Sequence, residues 1–241
     1  MELVCKYFLY FLAYAFLGYL CEVIYVSIGR RRLCNRGFLY GPICPIYGFG
    51  ALIILLSLDW ATNMWYVVLI LGFILTTALE YLVSYLMELA FHMRWWDYSE
   101  RRLNINGRVC LLNSSLFAGL VMLLVYLIHP YVVKPLIDLI KAPTELYIIS
   151  GVLFGVFMID TIVSTINTID KAKLILRLED KILAIENKKM NRISDIDTRI
   201  IKRLRTLNNK YPTLRVKSKI KRARIRLYDL IIRLEDKLKG E

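Results

Sequence analysis

The feature that most restricts this chain is the recurrence of apolar stretches long enough to cross a lipid bilayer. A helix needs roughly 20 apolar residues to span the hydrocarbon core. Segments at about 4–28, 64–92, 109–129 and 146–168 meet that length, and a shorter one at about 44–59 comes near it. Lipid offers no partner to a backbone N–H or C=O, so such segments must be helical. The sequence therefore predicts an all-α integral membrane bundle of about five transmembrane helices. Hydrophobic residues make up 57% of the 241, above the roughly 45–50% of soluble domains. That hydropathy excludes Rossmann and TIM-like patterns. Residues 1–28 lack a charged leader and a small-residue cleavage site, so they read as a retained first span rather than a signal peptide.

Charge divides the chain in two. Residues 1–169 hold 11 Lys+Arg and 10 Asp+Glu, a net of +1, whereas residues 170–241 hold 22 and 10, a net of +12. A transmembrane domain over 1–169 and a basic tail over 170–241 follow. The first loop carries Arg30, Arg31, Arg32 and Arg36, and the third carries Arg94, Arg101, Arg102 and Arg108. The second loop carries no basic residue, and the fourth, at about 130–145, carries only Lys134 and Lys141. Basic segments stay on the cytoplasmic side. Five crossings then place the N-terminus outside and the tail in the cytoplasm of a cell membrane. In the tail, apolar residues recur every three to four positions from Leu174 to Leu207 and again from Ile220 to Leu238, with Pro212 between the two series. A cytoplasmic helical hairpin is the simplest reading, and each helix has a seam that could dimerise as a coiled coil.

The informative residues are the polar ones inside the spans, because charge in a membrane is costly and usually faces a bundle interior or a water-filled cavity. Glu22 lies about six residues from the inner end of the first span. Thr77, Glu80, Ser84 and Glu88 form a stripe on the third, and Asp160, Ser164, Asn167 and Thr168 form one on the fifth. Asn113 sits near the inner start of the fourth. All four groups fall in one leaflet, which predicts a polar vestibule open to the cytoplasm. The competing reading is hydrogen bonding from helix to helix. On the vestibule reading, Glu22, Glu80 and Asp160 line a cavity and serve function more than stability.

Two connections stand out. Residues 35–50, with Tyr40 inside them, contain Gly37, Gly41, Pro42, Pro45, Gly48 and Gly50, yet are apolar and aromatic. Irregular apolar backbone at membrane depth is tolerated only where protein buries it or a cavity lines it. A re-entrant or broken segment is expected, against an interfacial loop leading into a kinked helix. The loop 94–108 mixes Trp95, Trp96 and Tyr98, residues suited to the headgroup layer, with Arg94 and Arg108. Together with Arg36, these arginines could pair the carboxylates or hold an anionic ligand. The five cysteines form no CxxC pair and read as packing residues, so no metal site and no cofactor are expected. The chain has no P-loop and no HExxH or GxSxG, so no catalytic motif marks it as an enzyme.

The strings NRGFLYGPICPIYGFG at 35–50, LEYLVSYLMELAFHMRWWDYS at 79–99 and NINGRVCLLNSS at 104–115 resemble the putative ABC-transporter type IV family of bacterial multi-pass permeases, over roughly residues 4–165. The resemblance implies a permease-like subunit served by a separate ATPase, with membrane lipid around it. It brings no substrate and no catalytic residue, and it does not cover the tail. Two other functions compete. One is a membrane enzyme acting on a lipid or phosphate-bearing substrate, and the other is an anchor or scaffold whose tail recruits partners. Residues 215–226 carry seven basic side chains in twelve positions. Tethered beside an anionic leaflet, they favour lipid headgroups or a protein partner over nucleic acid. A homo-oligomer through the tail seams is also compatible.

Overall fold

Helices satisfy their own backbone in lipid, and the fold is built almost wholly of them. A computed structural model of the chain describes residues 1–30, 37–91, 93–187 and 215–216. Over these residues the protein is an all-α membrane bundle. Helix α1 is Glu2–Arg30, α2 is Pro45–Leu58 and α3 is Trp65–Phe91. Helix α4 runs Leu111–Asp138 and α5 runs Pro143–Asn187. Among the described residues four stretches are long and apolar enough to cross a membrane: Glu2–Ile28, Trp65–Phe91, Leu111–Asp138 and Pro143–Asp170. Ile70, Leu123, Phe154 and Ile159 are among many large apolar side chains left exposed on them, as a lipid-facing surface requires.

The second span is shorter, and its local chemistry explains why. The 14 residues of α2 cover about 21 Å, against about 30 Å of hydrocarbon. Cys44 is extended, with φ −117° and ψ 94°, as a residue before proline prefers. Pro45 then opens the helix where its missing N–H costs nothing. The Cys44 N–H donates to the Ala15 carbonyl at 2.9 Å, and Ala15 lies midway along the first span. The chain leaves α1 at Arg30 and returns as an irregular segment, 37–44, that ends about 22 Å down the helix from Arg30. Helix α2 continues from there antiparallel to α1, with Tyr47 lying over Gly18 and Phe11 against Gly48. The second span is thus an irregular half followed by a helical half, the broken segment expected.

The fourth span runs past its expected end. Proline ordinarily stops a helix because it lacks an N–H and crowds the preceding turn. Here Leu124–Val133, with Pro130 inside it, widens into a π-helix instead. Helix α4 therefore continues to Asp138. The loop expected at 130–145 shrinks to a few residues, with Lys134 inside the helix. Helix α5 passes through position 170 without a break. The second tail series and the turn at Pro212, which would complete the hairpin, lie outside the described residues.

The chain separates into two units. The first holds Met1–Tyr85 and Tyr98–Ile166, and the second holds Leu86–Asp97 and the chain from Asn167. In the first unit two apolar cores form. One gathers Leu9, Tyr14, Ala51, Val133, Ile137 and Leu146, and the other gathers Ile54, Leu58, Ala61, Val68, Val121 and Val125. Both lie in the half of the bundle beside the N-terminal part of α1. Glu80, Ser84 and Arg108 are buried outside these two cores. In the second unit Met93–Arg94 pairs antiparallel with Arg215–Val216.

Candidate functional site

The irregular segment sets the site. Its backbone N–H groups lie at membrane depth without a helix to bond them, and α5 supplies the acceptors. Tyr40 N–H donates to Asp160 Oδ1 at 3.0 Å and to Ser164 Oγ at 3.2 Å. Gly41 N–H donates to Asp160 Oδ2 at 2.8 Å. The Ser164 hydroxyl, one turn along α5, donates to Asp160 Oδ1 at 3.0 Å. Ile43 N–H closes a tight turn around Pro42 onto the Gly41 carbonyl at 2.8 Å. The fifth-span stripe therefore acts as an acceptor for the broken span. Asp160 engages the Tyr40 backbone, while the Tyr40 ring is exposed.

The second cluster joins α1, α2, α3 and the loop after α3. Tyr47, in the first turn of α2, donates its hydroxyl to Glu22 Oε2 at 3.0 Å. The Tyr98 hydroxyl meets the Glu80 carboxyl, and Glu22 acts on both Glu80 and Tyr98 through its charge. Glu80 is only 5% exposed, and its Oε2 has no hydrogen-bond partner among the described residues. Tyr98 stands outside the spans. Burial, and then the Glu80 carboxylate, push its hydroxyl well above the ordinary tyrosine value, so it stays a donor at any physiological pH.

Arg108 is placed by a hairpin whose turn the sequence announces. Asn106 and Gly107 both have positive φ, 54° and 68°, the backbone an Asn-Gly pair adopts with least strain. Arg108 N–H donates to the Ile105 carbonyl at 3.0 Å, and Gly107 N–H to Asn104 Oδ1 at 2.9 Å. The turn sends Arg108 into the bundle, where it is buried. Its Nη1 donates to Ser84 Oγ at 3.3 Å, and its guanidinium lies 5.5 and 5.3 Å from the ring centres of Tyr81 and Tyr85. Cation–π contact of this kind compensates a buried charge in part.

Other predicted residues fall elsewhere. Glu88 and Arg94, both in the second unit, form an ion pair at 2.7 Å with Glu88 buried. Asn113 is half-buried in the first turn of α4, beside the fully buried Ser114. Arg36 lies outside the described residues.

A model of the family described as "Putative ABC-transporter type IV" matches residues 9–165. The chain belongs to this family. Neither a curated protein nor a solved structure matches the chain. The matched stretch holds Glu22, Tyr47, Glu80, Tyr98, Arg108 and Asp160, and it stops short of the tail. The family assignment therefore covers both polar clusters and the broken span that the clusters hold.

Sequence reasoning passed over three partners within that stretch. Tyr47 and Tyr98 sit in aromatic-rich strings and read as packing or headgroup residues. Their hydroxyl partners come from other helices, which periodicity along one helix does not reveal. His129 lies on the π-helical stretch of α4. Its Nδ1 lies 2.6 Å from the Tyr14 hydroxyl, and Tyr10 packs edge-on to its ring at 5.4 Å. The signal for it was the adjacent Pro130, since π-helical turns concentrate at functional positions.

Proposed function

We propose that this protein is the permease-like membrane subunit of a transporter, with a polar vestibule open to the cytoplasm and a separate ATPase as partner. The observation that carries this reading is the broken second span. Its unwound backbone reaches mid-membrane and is held by a carboxylate, while two further carboxylates gather beside its helical half. Broken helices of this kind put backbone groups and charges where a substrate must pass. The vestibule would be lined by Glu22, Tyr40, Glu80, Ser84, Asn113 and Asp160. Arg108, buried against Ser84, would stand beside it as a fixed cation. The absence of a P-loop from the sequence fits an ATPase on another chain.

Co-purification from native membrane followed by mass spectrometry tests this. A recurrent ATPase is the expected result. A retained lipid with no ATPase would favour an enzyme at the cytoplasmic face, and soluble partners that vanish on deleting 188–241 would favour a scaffold.

The proposed orientation, N-terminus outside and tail cytoplasmic, rests on loop charge. A membrane-impermeant thiol reagent applied to intact cells should label a cysteine placed at Asn63 and leave one at Ser99 untouched. The reverse pattern would move the vestibule to the outer face.

A further inference from the structure

Glu80 poses a problem that its neighbours do not solve as an anion. It is 5% exposed, and its Oε2 has no hydrogen-bond partner among the described residues. Among those residues no lysine or arginine pairs with it either. A buried carboxylate without a counter-charge is costly enough that such a group takes up a proton instead. The charged group that acts on it most is a second carboxylate. Glu22 acts on it from α1, and a neighbouring negative charge favours the protonated form of a buried carboxyl. We propose that Glu80 is a proton-binding site, set between α1 and α3 opposite Glu22 and carrying one exchangeable proton at neutral pH.

The surrounding groups fit a proton better than a metal ion. Calcium asks for six to eight oxygen ligands and magnesium for an octahedral set. No group of three or more His, Cys, Asp or Glu residues suited to a metal is found among the described residues. A proton needs one oxygen, and Glu80 Oε2 offers it. Several titratable and charged groups among the described residues act on the two carboxyls. Tyr47 and Cys44 act on Glu22 from the α2 side. Tyr98 bonds Glu80 from the loop, with Cys110 acting on Tyr98 in turn. Arg108 lies a turn away along α3, engaged with Ser84, Tyr81 and Tyr85. Tyr98 belongs to the loop between α3 and α4, so the donor that meets Glu80 comes from outside the spans. The site does not depend on the permease reading and would stand in an enzyme or a scaffold.

Infrared spectroscopy of the full chain in lipid nanodiscs tests the site, because a protonated carboxyl shows a carbonyl stretch that a carboxylate lacks. The wild type should show one such band at neutral pH that shifts in D2O and disappears as pH rises. The band should be absent from Glu80→Gln. In Glu22→Gln it should disappear at lower pH than in the wild type, because ionising Glu80 no longer opposes a neighbouring charge. In Tyr98→Phe it should persist to higher pH, because the ionised form loses a donor. The last two variants keep Glu80, so they decide the matter even where Glu80→Gln fails to fold. A wild type with no protonated-carboxyl band at neutral pH would overturn the proposal. So would Glu22→Gln and Tyr98→Phe titrating with the wild type. A midpoint that moves with sodium or magnesium concentration would replace the proton with a metal ion and overturn it as well.

Discussion

Replacing Gly48 with alanine is expected to destabilise the bundle by about 3 kcal/mol, at the upper end of what overpacking a tight contact costs. A Cβ at position 48 would sit 2.6 Å from the Phe11 carbonyl oxygen and 2.6 Å from its ring. A ring can turn aside, but a backbone carbonyl cannot move without moving α1. The contact is reciprocal, since Gly18 of α1 receives the Tyr47 side chain at the same interface. Between helices in lipid there is little hydrophobic gain, so close backbone approach through small residues carries much of the association. Any separation here also disturbs the start of α2, where Cys44 N–H bonds Ala15 and Tyr47 reaches Glu22. Gly119→Ala is the control, because nothing lies within 4 Å of its added Cβ. It should be neutral or raise stability by up to about 1 kcal/mol through helix propensity. Denaturant unfolding of the two purified variants in detergent checks this, and a Gly48→Ala midpoint equal to that of the wild type would refute the backbone contact.

The spans were legible in the sequence because the bilayer sets a length and a polarity that few other environments ask for. The broken second span was legible too, since glycine and proline in an apolar string leave only a few structures that satisfy the backbone. The Asn106-Gly107 turn showed for the same reason, as its backbone angles suit few residue pairs. The end of the fourth span was not legible. Local chemistry says that proline ends a helix, and only packing decides that a π-helical turn absorbs it. Within the site, the sequence marks the faces of single helices, so Glu22, Glu80, Ser84 and Asp160 stood out as polar groups where lipid should be. What each meets is a long-range matter. Glu80 meets Tyr98 from a loop, Glu22 meets Tyr47 from the neighbouring helix, and Asp160 meets backbone N–H groups that have no side-chain signature at all. The expectation that the carboxylates serve function more than stability therefore needs a separate test at each: Glu80 meets a loop tyrosine and a second carboxylate, whereas Asp160 accepts from the backbone of the broken span.

That difference is measurable. Asp160→Ala should lower stability by about 3 kcal/mol, because hydrogen bonds to a charged acceptor contribute roughly 1.5–3 kcal/mol each and their loss leaves donors unpaired. Two backbone donors, Tyr40 N–H and Gly41 N–H, depend on the carboxylate, and Ser164 can retain only the first of them. Asp160→Asn should cost about half as much. Its amide keeps one acceptor oxygen but turns an NH2 group toward a backbone N–H. Ser164→Ala should cost least, about 1 kcal/mol, since Asp160 still accepts from both residues. Stability alone would not distinguish a local cap from general damage, so the irregular segment needs its own reporter. Cys44 closes that segment and is half-buried at the start of α2. In a variant that keeps Cys44 and replaces the other four cysteines, maleimide labelling should be slow. Adding Asp160→Ala should raise the rate several-fold, with Asp160→Asn between the two. If Asp160→Ala leaves both the unfolding midpoint and the Cys44 labelling rate unchanged, the carboxylate does not hold the broken span, and the unwound backbone must find its acceptors elsewhere.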